Sequence, residues 1–218
     1  MSASNQEFFI PAGNGVSEFT EKRSRFIGYL FHVTEEKEAL AQIAAVKSKH
    51  YDAKHNVYAY LIRETGAMRY SDDGEPQGTA GMPVLEVLRR EGLTDVCCVV
   101  TRYFGGVLLG AGGLTRAYAR AAKDVVAATG IHVMRPFQTL FVTCPYPLFE
   151  RVKRSLSGAG GILSDAQYGA DIQLTLLLPL ETGDAFSASL TELSSGSIQA
   201  VPGEVVFRGV PVSSPEPE

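Results

Sequence analysis

The sequence predicts an α+β protein of two domains, and three observations carry this prediction. Segments rich in aromatic and β-branched residues alternate along the chain with segments of helical spacing. The pattern restarts after Pro136, and the elements that follow it have the order βαββαβ, which is the ferredoxin-like plan. We therefore expect a first domain at residues 1–136, a ferredoxin-like domain at 137–210 and a polar tail at 211–218.

In the first domain, strand and helix signals follow one another from residue 24 onward. The predicted strands are 24–33, 55–64 and 94–104. The predicted helices are 35–50, with Thr34 as its cap, 79–92 and 114–130. The stretch 66–78 is polar and full of turn residues, which predicts a loop. Because VCCVV at 96–100 is apolar without alternation, we expect that strand to be buried on both faces.

The second domain shows two helical segments between strand segments. The predicted strands are 137–145, 161–169, 171–180 and 197–209, and the predicted helices are 146–160 and 182–196. Its first helix carries Arg151, Lys153 and Arg154, which form either a contact patch or a solvated face.

Composition and charge restrict the classes of function. The net charge of −4 argues against a protein that binds nucleic acid over its whole surface, and we expect no DNA binding. Residues 1–137 carry 16 basic and 15 acidic side chains, whereas residues 138–218 carry 4 and 9, so a basic patch fits the first domain better. No apolar run reaches the roughly 18 residues of a membrane span, and the N-terminus lacks a signal pattern. We therefore expect a cytoplasmic protein with no membrane partner.

The cysteines predict neither a disulfide framework nor a zinc site. There are three of them, an odd number, and Cys97 and Cys98 lie among valines, which is typical of inert buried thiols. The sequence contains no C-x-x-C and no H-x-x-x-H pair. We expect no cofactor, and no Cys–His or Ser–His–Asp grouping predicts a catalytic nucleophile.

The segment VVTRYFGGVLLGAGGLTRAYARA, residues 99–121, has the order strand, glycine turn and helix that often holds an anion. It has no Walker lysine, and its glycine spacing does not match a dinucleotide fingerprint. Two arginines four residues apart share one helix face, and a third ends the strand, so three guanidiniums are expected to converge. The predicted anion- or nucleic-acid-binding residues are Arg102, Arg116, Arg120, Gly105, Gly106, Gly112 and Gly113. Alternatively, the glycines serve packing and the arginines are solvated or salt-bridged.

A second polar stretch, YSDDGEPQGTAG, contains Asp72, Asp73 and Glu75. Three interpretations remain open for these acids: ordinary turn chemistry, ion pairs with the three arginines, or a Mg²⁺ site. His55 and Asn56 open a predicted strand, where a histidine is usually structural but is also a candidate for catalysis.

Taken together, SRF, HNVYAY, DDGEPQGTAGMPVL and the glycine segment closely resemble the YigZ/IMPACT family, in register from Ser24 to Gly130. The resemblance implies a first domain with the left-handed βαβ topology of a ribosomal protein domain 2. It implies a second domain similar to domains III and V of elongation factor G. The eukaryotic relatives restrain a translational stress kinase by binding its activator. That role does not transfer to bacterial members, for which the implied partner is RNA or the ribosome.

The expected function is therefore non-catalytic binding close to translation, with RNA, the ribosome or a translation-associated protein as the partner. Two alternatives stay open. The protein is a small-molecule phosphotransferase of the GHMP-kinase type, because LLGAGGLTRA is superficially similar to the phosphate loop of those enzymes, or it is a pure protein-interaction module.

Overall fold

The structure, a computed structural model, describes residues 6–212, and the chain divides into two compact units. Most of one unit is Phe8–Val133, and most of the other is Met134–Arg208. The α+β class with two domains is thereby confirmed. The predicted polar tail lies, apart from its first two residues, outside the described residues.

The first unit is built on a five-stranded sheet in the order β2-β3-β6-β4-β5. Its strands are β1 (Phe8–Pro11), which lies outside that sheet, β2 (Gly15–Glu21), β3 (Ser24–His32), β4 (His55–Ile62), β5 (Ala67–Ser71) and β6 (Val96–Tyr103). Its helices are α1 (Glu36–Lys49), α2 (Gly81–Arg90) and α3 (Ala111–Thr129). Every neighbouring pair in the sheet is antiparallel. Since β3 and β4 both pair with β6, they run parallel to each other, and α1 connects them across it in a split βαβ unit.

Helices cover both faces of this sheet, which explains the continuous apolar run in β6. Cys97 and Val99 pack with α1 on one face, and Cys98 and Val100 pack with α2 and α3 on the other. The first seven of the eight residues of β6 are buried, so the predicted double burial is confirmed. Full burial of a valine contributes roughly 1.5–3 kcal/mol, so the three buried valines of β6, Val96, Val99 and Val100, stabilise the centre of the sheet.

The structure corrects several of the predicted elements. β5 (Ala67–Ser71) lies within the stretch predicted to be a loop, and β2 was not predicted at all; both are edge strands. α3 begins at Ala111, three residues before its predicted start, so two glycines lie in its first turn. At α1 the cap is Glu35 rather than Thr34, because the Glu35 carbonyl accepts the first helical hydrogen bond, from the Ala39 N–H at 3.2 Å.

The second unit has the ferredoxin-like order of elements. Its elements are β7 (Ile131–Cys144), a 3-10 turn at Tyr146–Leu148, α4 (Phe149–Gly158), β8 (Ile162–Tyr168), β9 (Ile172–Pro179), α5 (Gly183–Leu193) and β10 (Ala200–Pro211). The spatial order of the strands is β10-β7-β9-β8, which is the order expected when the first and third strands of a βαββαβ unit pair at the centre. Leu156, Leu174 and Phe186 join one buried core between the sheet and the two helices.

Within residues 6–212, none of the helices combines the length and the apolar character needed to cross a bilayer.

Candidate functional site

Glu75 is the centre of a buried polar cluster in the first unit, reached from the loop between β5 and α2. Its side chain is 4% exposed, and its Oε1 accepts hydrogen bonds from Arg102 Nη1 at 2.6 Å and from the Tyr118 hydroxyl at 2.8 Å. Arg102, near the end of β6, is 5% exposed, and its Nη2 donates to the Ser24 hydroxyl at 3.3 Å. A buried ion pair needs such additional hydrogen bonds, because both charges have left water. For Glu75 and Arg102, the ion-pair interpretation therefore matches the structure.

The Asp72 side chain caps helix α2, which begins nine residues later at Gly81. Its Oδ1 accepts from the backbone N–H groups of Ala80 at 3.0 Å and Gly81 at 2.8 Å, and its Oδ2 accepts from Gly78 at 2.9 Å. The carboxylate thus satisfies helix-start donors that have no partner within the helix. Across the described part of the chain, no group of three or more His, Cys, Asp or Glu side chains is arranged to hold a metal ion.

His55 and Asn56 begin β4, and both form hydrogen bonds with Asp73 of the acidic loop, residues 72–75. The backbone carbonyl of Asp73 accepts from His55 Nδ1 at 2.8 Å, so that nitrogen carries a proton. In the neutral ring Nε2 is then an acceptor, and it lies 3.7 Å from Glu75 Oε1, beyond hydrogen-bond distance. The carboxylate of Asp73 accepts from the Asn56 N–H at 2.6 Å and from Lys47 Nζ at 2.7 Å. These contacts make the loop a fixed part of the fold.

A cavity of about 370 Å³ lies against this cluster, and we call it the Arg102 cavity. On its polar side it is lined by His55, Glu75 and Arg102. On its apolar side the lining residues are Phe104, Leu108, Leu109 and Leu114. The start of α3 closes one end, so the cavity joins a buried charged pair, a hydrophobic wall and a helix N-terminus.

Gly105 and Gly106 shape the loop that leads from β6 to α3. A Cβ on Gly105 would collide with the backbone of Arg23 at the tip of the β2–β3 hairpin, so only glycine fits there. Gly106 has φ of +82°, a conformation that L side chains rarely adopt. The two glycines therefore let the loop pass close to the hairpin and turn towards the helix.

Gly112 and Gly113 lie in the first turn of α3 and differ in their surroundings. A Cβ on Gly113 would come within 3.0 Å of the Leu109 side chain, whereas a Cβ on Gly112 would meet nothing closer than Arg116 Nη1 at 3.5 Å. Packing therefore explains Gly113, and nothing in the structure requires glycine at position 112.

Three cations lie together where the β2–β3 hairpin meets α3, and we call Lys22, Arg116 and Arg120 the α3 basic face. All three are exposed, and they line a depression of about 140 Å³ together with Phe19. The Arg120 guanidinium lies 4.2 Å from the Phe19 ring centroid, and its Nε is 3.3 Å from Asp124 Oδ2. Among the described residues, neither Lys22 nor Arg116 has an acidic partner within 4 Å.

The predicted convergence of three guanidiniums is not seen. Arg102 lines the Arg102 cavity, whereas Arg116 and Arg120 line the separate depression of the α3 basic face. The physical reason is Glu75, which binds Arg102 in the interior and withdraws it from the surface.

Tyr118, Lys22 and Phe19 are among the residues of these two sites that sequence reasoning missed. Tyr118 gives no charge signal, because it is one of several core positions on α3. Lys22 follows a strand that was itself missed, and Phe19 lies within that strand. The hairpin tip has no usual sequence signal, because Lys22 (φ +44°) and Arg23 (φ +66°) occupy left-handed positions where Asn, Asp or Gly is the common choice.

The two buried thiols and the buried Tyr118 phenol of this unit stay protonated. Burial raises the pKa of the Cys97 thiol to about 12 and also raises that of Cys98. Burial, reinforced by the Glu75 carboxylate, raises the pKa of Tyr118, which therefore remains a hydrogen-bond donor to Glu75. The prediction of inert thiols agrees with these environments.

In the second unit, the three basic residues of α4 lie exposed on its surface. Lys153 Nζ is 3.1 Å from Glu150 Oε1 and lies 5.2 Å from the Phe149 ring centroid. Arg151 and Arg154 are exposed beside it. The patch is thus partly neutralised within its own helix.

The fold and these sites define a two-domain α+β protein with a split βαβ unit followed by a ferredoxin-like unit. Residues 22–126 match the model of the Impact N-terminal domain, and residues 142–197 match a domain of unknown function, DUF1949. The chain belongs to the IMPACT family.

Relatives over nearly the whole length support this assignment. IMPACT family member YvyE of Bacillus subtilis is 35% identical, covering 92% of this chain and 93% of the relative. IMPACT family member YigZ of Escherichia coli is 32% identical, covering 89% and 97%. A crystal structure of a hypothetical protein has a TM-score of 0.57 and 32% identity, covering 91% of this chain and 98% of that one.

Proposed function

We propose that the protein is a non-catalytic binding protein linked to translation and that its α3 basic face contacts the phosphate backbone of RNA. The observation that carries the proposal is a pair of exposed cations, Lys22 and Arg116, which have no acidic partner within 4 Å in residues 6–212 and lie beside the stacked Arg120 and Phe19. Arginine forks fit phosphate oxygens in a two-point geometry, and lysine supplies a point charge.

The local charge favours an anion although the whole chain is acidic. The α3 basic face carries three cations, and the acids Glu21 and Asp124 lie next to it, so the net charge of this group of five side chains is positive. Arg116 and Arg120 lie on a 19-residue helix and Lys22 lies at a tight hairpin tip, so the backbone positions of the three cations are set before binding. Preorganisation of the backbone lowers the ordering cost of binding.

Family membership supports the link to translation. Protein IMPACT of Rattus norvegicus is 34% identical over 119 residues, which are 50% of this chain and 35% of that protein. The resemblance implies that eukaryotic members act in translational control, and that both domains here are similar to parts of translation factors. Transfer of that link to this chain is part of the proposal.

The phosphotransferase alternative fits the acidic loop poorly. Such an enzyme needs a carboxylate for the metal ion or as a base, but Asp72, Asp73 and Glu75 each accept hydrogen bonds from protein donors. Releasing Asp72 would uncap α2, and releasing Glu75 would leave the Arg102 charge buried and unpaired. Releasing Asp73 would remove the acceptor of the Asn56 N–H. We therefore favour binding over phosphoryl transfer.

The test measures binding of a fluorescein-labelled single-stranded RNA to the full chain over a series of salt concentrations. Arg116→Ala/Arg120→Ala is expected to bind about tenfold or more weakly at low salt. Its plot of log K against log salt is expected to be shallower by about 1.4, since each phosphate contact on a single strand contributes roughly 0.7. The matched control is Lys37→Ala/Arg90→Ala, which removes two exposed cations from α1 and α2.

Equal affinity and equal slope for the two double variants would contradict the proposal. In that case any binding would depend on net charge alone rather than on the α3 basic face. A loss confined to Arg116→Ala/Arg120→Ala supports it.

A further inference from the structure

We propose that the Arg102 cavity receives one unpaired guanine base of the RNA strand whose phosphates lie on the α3 basic face. The inference rests on the proposed function and deepens it, because it adds a site for a base to a face that contacts only the backbone. Four observations carry it: two unpartnered hydrogen-bond acceptors on the cavity wall, the charge balance of the lining, an exposed apolar wall, and the position of the cavity beside the α3 basic face.

The first acceptor is the second carboxylate oxygen of Glu75. Its Oε1 accepts from Arg102 and Tyr118, whereas its Oε2 has no hydrogen-bond donor among the described residues. The side chain is 4% exposed and lines the cavity. In residues 6–212 the enclosed side-chain atoms without a partner are Ser17 Oγ and Arg102 Nε, and Oε2 is not one of them, so it keeps access to the cavity. Because buried polar groups are nearly always hydrogen-bonded, an open carboxylate oxygen here indicates a missing donor.

The second acceptor is Nε2 of His55 in the neutral ring. Nδ1 donates to the Asp73 carbonyl, so the lone pair is on Nε2. Nε2 lies 3.7 Å from Glu75 Oε1, too far for a hydrogen bond, and the His55 side chain lines the cavity. The polar wall therefore presents two neighbouring acceptors, and both require a ligand that donates hydrogen bonds.

The charge of the lining favours a neutral donor. Arg102 and Glu75 form an ion pair at 2.6 Å, so with a neutral His55 the remaining charge among the lining side chains is the exposed Lys54. A ligand ammonium group at Oε2 would be repelled by Arg102 and Lys54, and an anion would face the two acceptors. Nucleobases are neutral at pH 7 and carry N–H donors, so they satisfy both conditions.

Among the four RNA bases, guanine matches these partners best. Its Watson–Crick edge carries N1–H and the N2 amino group side by side, with the O6 acceptor next to them. The two N–H groups match Glu75 Oε2 and His55 Nε2. O6 matches the start of α3, where Gly110 provides no side-chain cap and the first N–H groups have no partner within the helix. Adenine, cytosine and uracil each have a single donor group on that edge.

The apolar wall suits the flat faces of a base. Phe104 is 47% exposed and Leu108 is 82% exposed, although both border the cavity, and Leu109 and Leu114 continue the wall. Aromatic side chains are the usual stacking partners of unpaired bases. The volume of about 370 Å³ falls in the usual range for small-molecule sites, roughly 300–1,000 Å³.

The cavity adjoins the α3 basic face. Leu109 lines both the cavity and the depression that contains Arg116 and Arg120. The first turn of α3 likewise contributes Ala111 to the cavity and Gly113 to the depression. A strand whose phosphates lie on the α3 basic face can therefore place a neighbouring base in the cavity without leaving the start of α3.

The experiment measures the affinity of the full chain for three fluorescein-labelled RNA heptamers, UUUXUUU, in which X is guanosine, inosine or an abasic residue. Inosine is the matched control, because it differs from guanosine only by lacking the N2 amino group. At low salt we expect the guanosine heptamer to bind about tenfold more tightly than the inosine heptamer, since one hydrogen bond to a charged or buried acceptor is lost. The abasic heptamer, which also loses stacking, should bind at least about thirtyfold more weakly than the guanosine heptamer.

Free guanosine distinguishes a base of an RNA strand from a free nucleoside. It lacks the phosphate contacts, so we expect it to bind at least about a hundredfold more weakly than the guanosine heptamer.

Two variants of the apolar wall test the location. Phe104→Ala is expected to reduce the preference for guanosine over the abasic residue to about threefold or less, and Leu108→Ala should reduce it in the same direction. The matched control is Tyr70→Ala, which removes a 44% exposed aromatic side chain of β5 that does not line the cavity, and it should keep the wild-type preference. Unchanged melting temperatures show that each variant is folded, and the comparison of guanosine with inosine needs no variant.

Three results would overturn the inference: equal affinity for the guanosine and inosine heptamers, a guanosine preference that Phe104→Ala and Leu108→Ala both leave unchanged, or binding of free guanosine as tight as that of the heptamer. Failure of the RNA contact itself gives a different result, because Arg116→Ala/Arg120→Ala would then bind every heptamer as the wild type does. If only the base site is wrong, that double variant weakens all three heptamers, and the wild type does not discriminate among them.

Discussion

Replacing Glu75 with glutamine tests whether the buried ion pair holds the first domain together. The substitution keeps the shape but removes the charge, so the Arg102 guanidinium is left buried without a counterion. Breaking one side of a buried pair costs about 3–5 kcal/mol. For a domain of this size, 1 kcal/mol lowers Tm by about 4 °C, so the melting temperature should fall by roughly 10–20 °C.

The assay is differential scanning calorimetry on the full chain. The matched control is Asp124→Asn, which breaks the ion pair with Arg120; Asp124 is 43% exposed, and such pairs contribute at most about 1 kcal/mol. The double variant Glu75→Gln/Arg102→Met is expected to recover most of the loss, since it removes the stranded charge as well. The reasoning is refuted if Glu75→Gln lowers Tm no more than Asp124→Asn, or if the double variant is less stable than Glu75→Gln alone.

Three further predictions concern stability and the accessibility of the thiols. Gly105→Ala should destabilise by about 1–3 kcal/mol because its Cβ meets the hairpin backbone, whereas Gly112→Ala should be neutral or stabilising by up to about 1 kcal/mol; urea titration distinguishes them, and equal effects would count against the close approach. Burial lowers the pKa of His50, so the unfolded chain binds this proton more tightly, and the unfolding free energy should decrease as pH falls below about 6.5. His50→Gln should flatten that profile, and an unchanged profile would exclude His50 as the cause. The three cysteines are buried, so iodoacetamide should modify them only on unfolding; fast labelling of the native protein would show that a thiol is accessible.

The elements with a buried face were predictable from the sequence, and the edge strands were not. β6 and α3 have long apolar patterns because each is packed against other elements along its length. In β5, Met68, Arg69 and Tyr70 are all exposed, so no alternation of apolar and polar residues marks the strand. In β2, partly buried and exposed positions alternate, but the apolar residues do not follow this alternation, because Val16 is at an exposed position.

The polar cluster was only partly predictable, because its contacts are distant in sequence. Ion pairs between the acids of residues 72–75 and the arginines were one interpretation of the sequence, and Glu75 does bind Arg102, which lies 27 residues further along the chain. Nothing in the sequence selects Glu75 over Asp72, because the choice depends on the sheet register that brings β4 beside β6. The exposure of Arg116 and Arg120 follows from α3 alone, since both lie opposite its buried stripe.

The most direct test of the central claim is affinity capture from a native lysate with the full chain as bait, with and without ribonuclease. The account predicts that RNA is recovered with the wild type and largely lost with Arg116→Ala/Arg120→Ala. Recovery of proteins alone, unchanged by ribonuclease and by that double substitution, would contradict it.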